Sequence, residues 1–357
     1  METVVASKPR LIRRAYSLLQ YWEDGQMTIE NYLTRTSLEA NLLVLDMLSA
    51  ATDPICNNVL SGQFSHIPAV EEIVGKLTKL NLLLVVGSRL EKRDRALEDS
   101  WKWDLNARYF HYSTGSVKYN FDLEAVRKQL EKKAITNPPP SPFKTSSADS
   151  KIILDDPQLP DVNFWEVLYQ RRTCRHFEDA PISKGVFSSF LKLVAGYTHF
   201  YNDSKIDKRI IKTSPSGGAR HPIEMYAFVR NVASIAPAVY HYEAETNSLA
   251  FVNHLPDQKK VLDFFSGQKW VSNAAVIFVF TAVLERSMWK YDHSRAYRVL
   301  LLDCGHLGQT FHLSATALKL GVFTTAAIQD RKIESYLHLD GIKEVVLYGG
   351  AIGVAGL

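Results

Sequence analysis

A chain of 357 residues with 46% hydrophobic content can bury a substantial core, in two domains or in one large domain with an attachment. Its net charge of +4 comes from interspersed basic and acidic residues, so composition calls for neither nucleic acid nor an anionic membrane. Cys56, Cys174 and Cys304 lie far apart without Cys-x-x-Cys spacing, which speaks against a disulfide framework or a structural zinc site, and no metal is expected. No signal-like apolar core follows the N-terminus, and the longest apolar run, Ala274–Leu284, is too short to span a bilayer; the expectation is a cytoplasmic protein without a membrane partner.

The first 90 residues carry their own pattern. Ser37 is placed to cap a helical run in which Leu38, Leu42, Leu45 and Leu48 share a face. Residues 67–80 predict a second helix with Val70, Ile73, Val74, Leu77 and Leu80 inward, followed by a strand at Leu82–Val86. Helices followed by a short strand suggest a winged-helix-like module over residues 1–90. The second helix offers Lys76 and Lys79 against Glu71 and Glu72, so peptide docking or plain packing suits it better than reading DNA. Residues 91–150 form a connector: an aromatic stretch with Trp101, Trp103, Tyr109, Phe110 and His111, then a proline- and serine-rich segment at Glu131–Lys151 that predicts an extended or mobile domain boundary.

Residues 151–357 predict the main domain. Asn163 caps a helix that breaks into RRTCRHF, and Ser183 caps a helix with Phe187, Phe190, Leu191 and Val194 inward. Strands are expected at Ile223–Val229, Ala238–Tyr242 and Leu249–Val252, and the run AAVIFVFTAVL predicts a fully buried central strand. A long helix over about Ser294–Leu320 buries Leu300, Cys304, Leu307, Phe311, Ala315 and Leu318, and a last strand covers Val345–Val354.

Four stretches carry chemistry. In KTSPSGGARHPIEMY, Pro215 fixes φ, Gly217 and Gly218 permit close backbone approach, and Ser214, Ser216 and Arg220 supply donors. The same composition also suits an ordinary surface turn. In RRTCRHF, Arg171, Arg172 and Arg175 flank Thr173 where a helix stops, an arrangement able to grip a phosphate. There is no P-loop, no His-Glu-x-x-His and no Gly-x-Ser-x-Gly, and the glycines of YGGAIGVAG precede no helix that could receive a dinucleotide pyrophosphate. His221 and His306 suit structural roles, with no metal geometry around them.

Taken together, RRTCRHF, TSPSGGARHPIEMY, WKYDHSRAYR and LDCGHLGQTFHLSATALKLG occur in the order of the SagB/McbC-type dehydrogenase branch of the nitroreductase-like flavoproteins, which the chain resembles from about Val162 to its end. The resemblance implies an α+β fold, a three-layer domain with a central mixed sheet beside the N-terminal module. It implies a homodimer with FMN at the subunit interface, and oxidation of thiazoline or oxazoline rings in a peptide to thiazole or oxazole. By position, Arg171, Thr173 and Arg175 match the segment holding the FMN phosphate and ribityl chain, with Arg172 between them. Ser214, Pro215, Ser216 and Gly217, with Arg220 following, match the turn beside the flavin, and Lys290 and Tyr291 match the pair implicated in azoline oxidation.

Aromatising an azoline removes a hydride and a proton from adjacent carbons. FMN can accept the first, and a desolvated Lys290 with a lowered pKa could accept the second, with Tyr291 orienting the ring. Without the resemblance, Trp289, Lys290 and Tyr291 also suit an ordinary helix start. The implied partners are a cyclodehydratase complex or a peptide synthetase carrier domain presenting the peptide, and molecular oxygen as acceptor. The alternatives are an NAD(P)H-dependent flavin or nitro reductase and a non-catalytic scaffold. One departure stands out: the C-terminal strand lacks the basic residue that many nitroreductases place beside the flavin phosphate, so another donor such as Lys212 is expected to complete that site.

Overall fold

The computed structural model describes residues 9–117, 122–146, 151–203 and 206–356, and the chain divides into two units, Met1–Lys118 and Tyr119–Leu357. The first unit runs β1 (Leu11–Arg14), β2 (Leu18–Glu23), β3 (Gln26–Asn31), β4 (Thr36–Glu39), α1 (Leu42–Ala50), β5 (Ile55–Cys56), α2 (Asn57–Gln63), α3 (Val70–Lys79), β6 (Leu83–Val85), α4 (Arg89–Ser100) and α5 (Leu105–Ser113). Its strands form two antiparallel sheets, β5-β1-β6 and β2-β3-β4. Ile12, Met47, Leu60, Leu77 and Leu83 fill the core between sheet and helices.

One local expectation changes here. Ser37 lies in β4, where Leu38 pairs with Ile29, and the cap of α1 is Asn41, whose side chain accepts from Val44 N at 3.1 Å. A short helix-like pattern yields because the strand pairing buries Ile29, a non-local gain that a local periodicity does not register. In the aromatic stretch, Trp101 meets Trp103 and His111, and Tyr109 meets Tyr32 edge-on.

The second unit contains α6 (Leu123–Thr136), β7 (Lys151–Ile153), α7 (Phe164–Gln170), α8 (Lys184–Val194), β8 (Tyr197–Asp203), β9 (Asp207–Lys212), β10 (Ile223–Val229), β11 (Ala238–Glu243), β12 (Ser248–His254), α9 (Gln258–Phe264), β13 (Val276–Val283), α10 (Leu284–Met288), α11 (Ala296–Ala317), β14 (Gly321–Thr325), α12 (Asp330–Tyr336) and β15 (Glu344–Gly353). A seven-stranded sheet in the order β14-β15-β13-β10-β11-β12-β7 lies at its centre. Among the described residues every strand pairing of this sheet is antiparallel, where a mixed sheet was expected: a short reversal at Glu243–Ser248 joins β11 to β12, and β10, β13 and β15 pair antiparallel across longer connections.

Alternation along β13 explains the three layers. Val276, Phe278 and Phe280 face a core shared with Phe187 and Phe190 of α8 and Phe311 of α11. Ile277 and Val279 face a second core with Phe264 of α9 and Ile333 of α12. Both faces are dry, so the strand is apolar throughout.

Of the Glu131–Lys151 stretch expected as an extended or mobile boundary, residues 131–136 are instead the last turns of α6, where Glu131 pairs with Arg127 one turn back, and Lys151 opens β7. Only the stretch from Asn137 to Ser146 is extended, and anchored; residues 147–150 lie outside the described ones. Phe143 is buried against Tyr197 and Phe200. Lys144 pairs with Glu344 and Tyr226, Ser146 N donates to Glu243 Oε1 at 2.6 Å, and Arg286 Nε donates to Ser141 O at 2.9 Å. Prolines supply no N–H, so this strap binds chiefly through its carbonyls and side chains.

Candidate functional site

The strand β9 delivers the chain into the turn at residues 213–222, which lies along one face of α11. Val299, Asp303, His306 and Thr310 recur at helical spacing and meet it in turn. A Cβ built on Gly217 would fall 2.2 Å from Val299 Cγ1, so only glycine lets the backbone lie this close to the helix. Asp303 then clamps the turn: Ser216 Oγ donates to Oδ2 at 2.5 Å and Gly217 N donates to Oδ1 at 3.0 Å. Burial raises the Asp303 carboxyl above its ordinary range, against the Ser216 and Gly217 donors. Ser216 Oγ also accepts from His221 N at 2.9 Å, Ser214 Oγ lies 2.6 Å from Thr310 Oγ1, and His306 Nδ1 lies 3.3 Å from Pro215 O. The serine hydroxyls expected to face a ligand thus hold the turn to its own helix. Asp303, which no motif singled out, is their partner.

Lys290 and Tyr291 arrive from the other side. The helix α10 ends at Trp289, and Ser287 O accepts from both Lys290 N and Tyr291 N, at 3.1 and 2.9 Å. Gly218 has φ +64°, and a Cβ there would lie 2.5 Å from Tyr291 Oη and 2.6 Å from Lys290 Nζ. Lys290 Nζ and Arg220 Nε each approach Gly218 O at 3.4 Å, and the Arg220 guanidinium lies 5.5 Å from the Trp289 ring centroid. The structure therefore brings Ser214, Pro215, Ser216, Gly217, Arg220, Lys290 and Tyr291 into one neighbourhood.

Behind the turn sits a charged layer. Arg286, 3% exposed, donates through Nη1 to His221 O at 3.0 Å and to Glu224 Oε1 at 2.6 Å, while His241 Nε2 lies 2.9 Å from Glu224 Oε2. Burial favours a neutral Glu224, but Arg286 and His241 outweigh it and hold the carboxyl down to about 2. Burial, then the neighbouring Lys212 charge, holds His221 down to about 3, so the imidazole is neutral and structural. Lys212 joins Ser214, Ser216, His221 and Asp303 around a cavity of about 20 Å³, room for roughly one water. Burial pushes its amine down to about 8, with Glu224 opposing. Within one chain its place is in this layer, near Glu224.

That segment runs elsewhere. Cys174 N donates to Val322 O at 2.7 Å, fixing Arg171–Arg175 beside β14. Burial and the Arg171 charge hold His312 down to about 4. His312 is two residues past Thr310, so it projects from the opposite side of α11. Arg172 folds back on the end of α7, donating to Tyr169 O at 2.7 Å and Arg171 O at 2.8 Å, which makes it a helix cap. Thr173 and Arg175 are exposed, and the Arg175 guanidinium stands 6.0 Å from the Trp270 ring centroid. Within one chain the arginine segment and the glycine turn thus lie on opposite sides of one helix. Among the described residues no group of three His, Cys, Asp or Glu could hold a metal ion, and no helix is long and apolar enough to cross a membrane.

Comparison with known proteins agrees with this architecture. Trifolitoxin-processing protein TfxB of Rhizobium leguminosarum bv. trifolii is 30% identical over 240 residues, 65% of this chain and 63% of that protein, so the match spans under two thirds of that relative. A nitroreductase-type protein of Anabaena variabilis shares the fold, with a TM-score of 0.53 and 19% identity over 70% of this chain and 47% of that one. The E. coli microcin synthetase McbBCD complex gives a TM-score of 0.42 at 20% identity over 66% of this chain and 95% of that one. The Nitroreductase family model matches residues 168–355, which takes in the arginine segment, the turn and the Lys290–Tyr291 pair. Members of that family are oxidoreductases that generally bind flavin. With more than half of its length matched, the chain belongs to the nitroreductase family, and within it resembles the SagB/McbC-type members.

Proposed function

We propose that the protein is an FMN-dependent oxidase that aromatises a thiazoline or oxazoline to a thiazole or oxazole in a peptide natural product, with molecular oxygen as terminal electron acceptor. The observation that supports it is the convergence of the Lys290 amine and the Tyr291 hydroxyl on Gly218 of the turn. A relative that processes trifolitoxin agrees in kind with action on a peptide product.

The residues present suit FMN in their chemistry. Arg171 and Arg175 offer guanidinium groups for a phosphate, with Thr173 between them, and the turn keeps Cβ atoms away from the Lys290–Tyr291 pair. When bound, FMN supplies a two-electron hydride acceptor. Lys290 takes the proton lost from the neighbouring ring carbon at Nζ. Tyr291 orients the ring through Oη. Arg220 and Trp289 hold the turn and the pair in register. Because the arginine segment and the turn lie on opposite sides of α11, one complete site uses the two halves from two chains, as a homodimer. Thr310, Asp303 and His306 keep the turn presented for that purpose. The peptide would be presented by a cyclodehydratase complex or a peptide synthetase carrier domain.

The test is a thiazoline peptide incubated with the purified, yellow protein in air. Loss of two hydrogens by mass spectrometry, with oxygen uptake, is expected. Lys290→Ala should keep its flavin and lose turnover by about 10²-fold or more. Near-normal turnover in that variant would remove Lys290 from the chemistry. Rapid flavin bleaching by NADPH with turnover of nitroaromatics, and none of the azoline, would favour the reductase reading instead.

A further inference from the structure

Lys290 follows a residue held at several points. Trp289 is buried at the end of α10, where its indole Nε1 donates to Asn137 O at 2.7 Å and its own carbonyl accepts from Lys133 Nζ at 2.5 Å. Its ring centroid lies 5.5 Å from Lys133 Nζ and 5.5 Å from the Arg220 guanidinium. Lys133 belongs to the last turn of α6, Asn137 begins the strap, and Arg220 closes the glycine turn. One side chain therefore ties together three parts of the chain that approach the Lys290–Tyr291 pair from different directions. The amine of Lys290 in turn approaches Gly218 O at 3.4 Å and the Tyr291 ring centroid at 5.6 Å.

We propose that Trp289 is a positioning residue for Lys290: the end of α6 and the start of the strap fix the indole, and the indole fixes where the next side chain leaves the backbone. The role assigned to Lys290 rests on the azoline-oxidase reading, whereas the positioning itself does not. If Trp289 only filled space, a ring of similar shape would serve equally well. If it positions, the N–H bond to Asn137 O is essential, because without it the indole is no longer tied to the start of the strap and the loop after it can shift.

The measurement is the rate at which an amine-reactive acetylating ester modifies Lys290, relative to exposed Lys259 in the same molecule, read by peptide mass spectrometry on the flavin-loaded protein. In Trp289→Phe the Lys290 to Lys259 ratio is expected to rise about fivefold, the shift one lost hydrogen bond permits. On a thiazoline peptide, kcat should fall while KM stays put. Lys133→Met, a change near the surface of α6, should raise the ratio about twofold through loss of the cation at the ring, and serves if Trp289→Phe does not fold. An unchanged ratio in the folded variants overturns the proposal. A raised ratio in a protein that never oxidises an azoline keeps the positioning role and removes the proposed reaction.

Discussion

A side chain at Gly218 would have to occupy the space already taken by the Lys290 amine and the Tyr291 hydroxyl, at a φ of +64° that L-residues avoid. The sequence motif marked this glycine as permissive; only the structure shows what the permission is for. Lys212 offers the matching lesson in charge. Burial depresses its amine from 10.5 to about 8, so between these values the unfolded chain holds the proton and the folded chain does not. Unfolding then takes up a proton, and stability from this residue rises with pH across that window. Chemical-denaturation midpoints of the wild type should therefore climb from pH 8 to pH 10.5 relative to Lys212→Met, which has no charge to lose. Parallel profiles would mean that the amine is solvated in the folded protein. Neither Asp303 nor Arg286 was legible beforehand, since each acquires its role from residues about 60 to 90 positions away in the chain.

At the scale of elements, strongly patterned apolar segments were readable, whereas the charged helices α4 and α6 and many short strands were not. Asn163 and Ser183 cap α7 and α8 as their side-chain chemistry dictates, and β13 follows from its apolar run. Among the described strands, β1 to β5, β7, β8, β9 and β14 escaped. The Asp24–Gly25 pair between β2 and β3 is a hairpin signal, with both residues at positive φ, whereas β14 has no local mark beyond its two threonines. The strap is the largest departure, for proline content describes what a segment cannot donate and says nothing of what grips it. Phe143 is 9% exposed between Tyr197 and Phe200, so Phe143→Ala should cost about 3 kcal/mol of stability. A loss under about 0.5 kcal/mol in denaturant titration would show a strap that is only loosely laid down.

At the scale of the molecule, the surface of α7 is strongly apolar: Phe164, Trp165 and Tyr169 are exposed, Tyr169 to 82%, and Leu301 and Leu302 of the adjoining α11 are exposed as well. Contiguous aromatic and aliphatic surface of this kind marks an association site, and the proposed homodimer uses it. Sedimentation equilibrium should give the mass of two chains, and Trp165→Glu should give one chain with diminished flavin retention. A wild-type protein that sediments as one chain and keeps its flavin would exclude the two-chain site. By itself the sequence determined the layered α+β domain and its family, because periodicity, caps and motif order are local properties written in consecutive residues. The tertiary structure alone decided the antiparallel sheet, the strap bound across α10, the Asp303 clamp and the placement of the arginine segment across α11 from the turn. Those depend on which distant side chains meet, and burial gives such meetings an energy that no local pattern records.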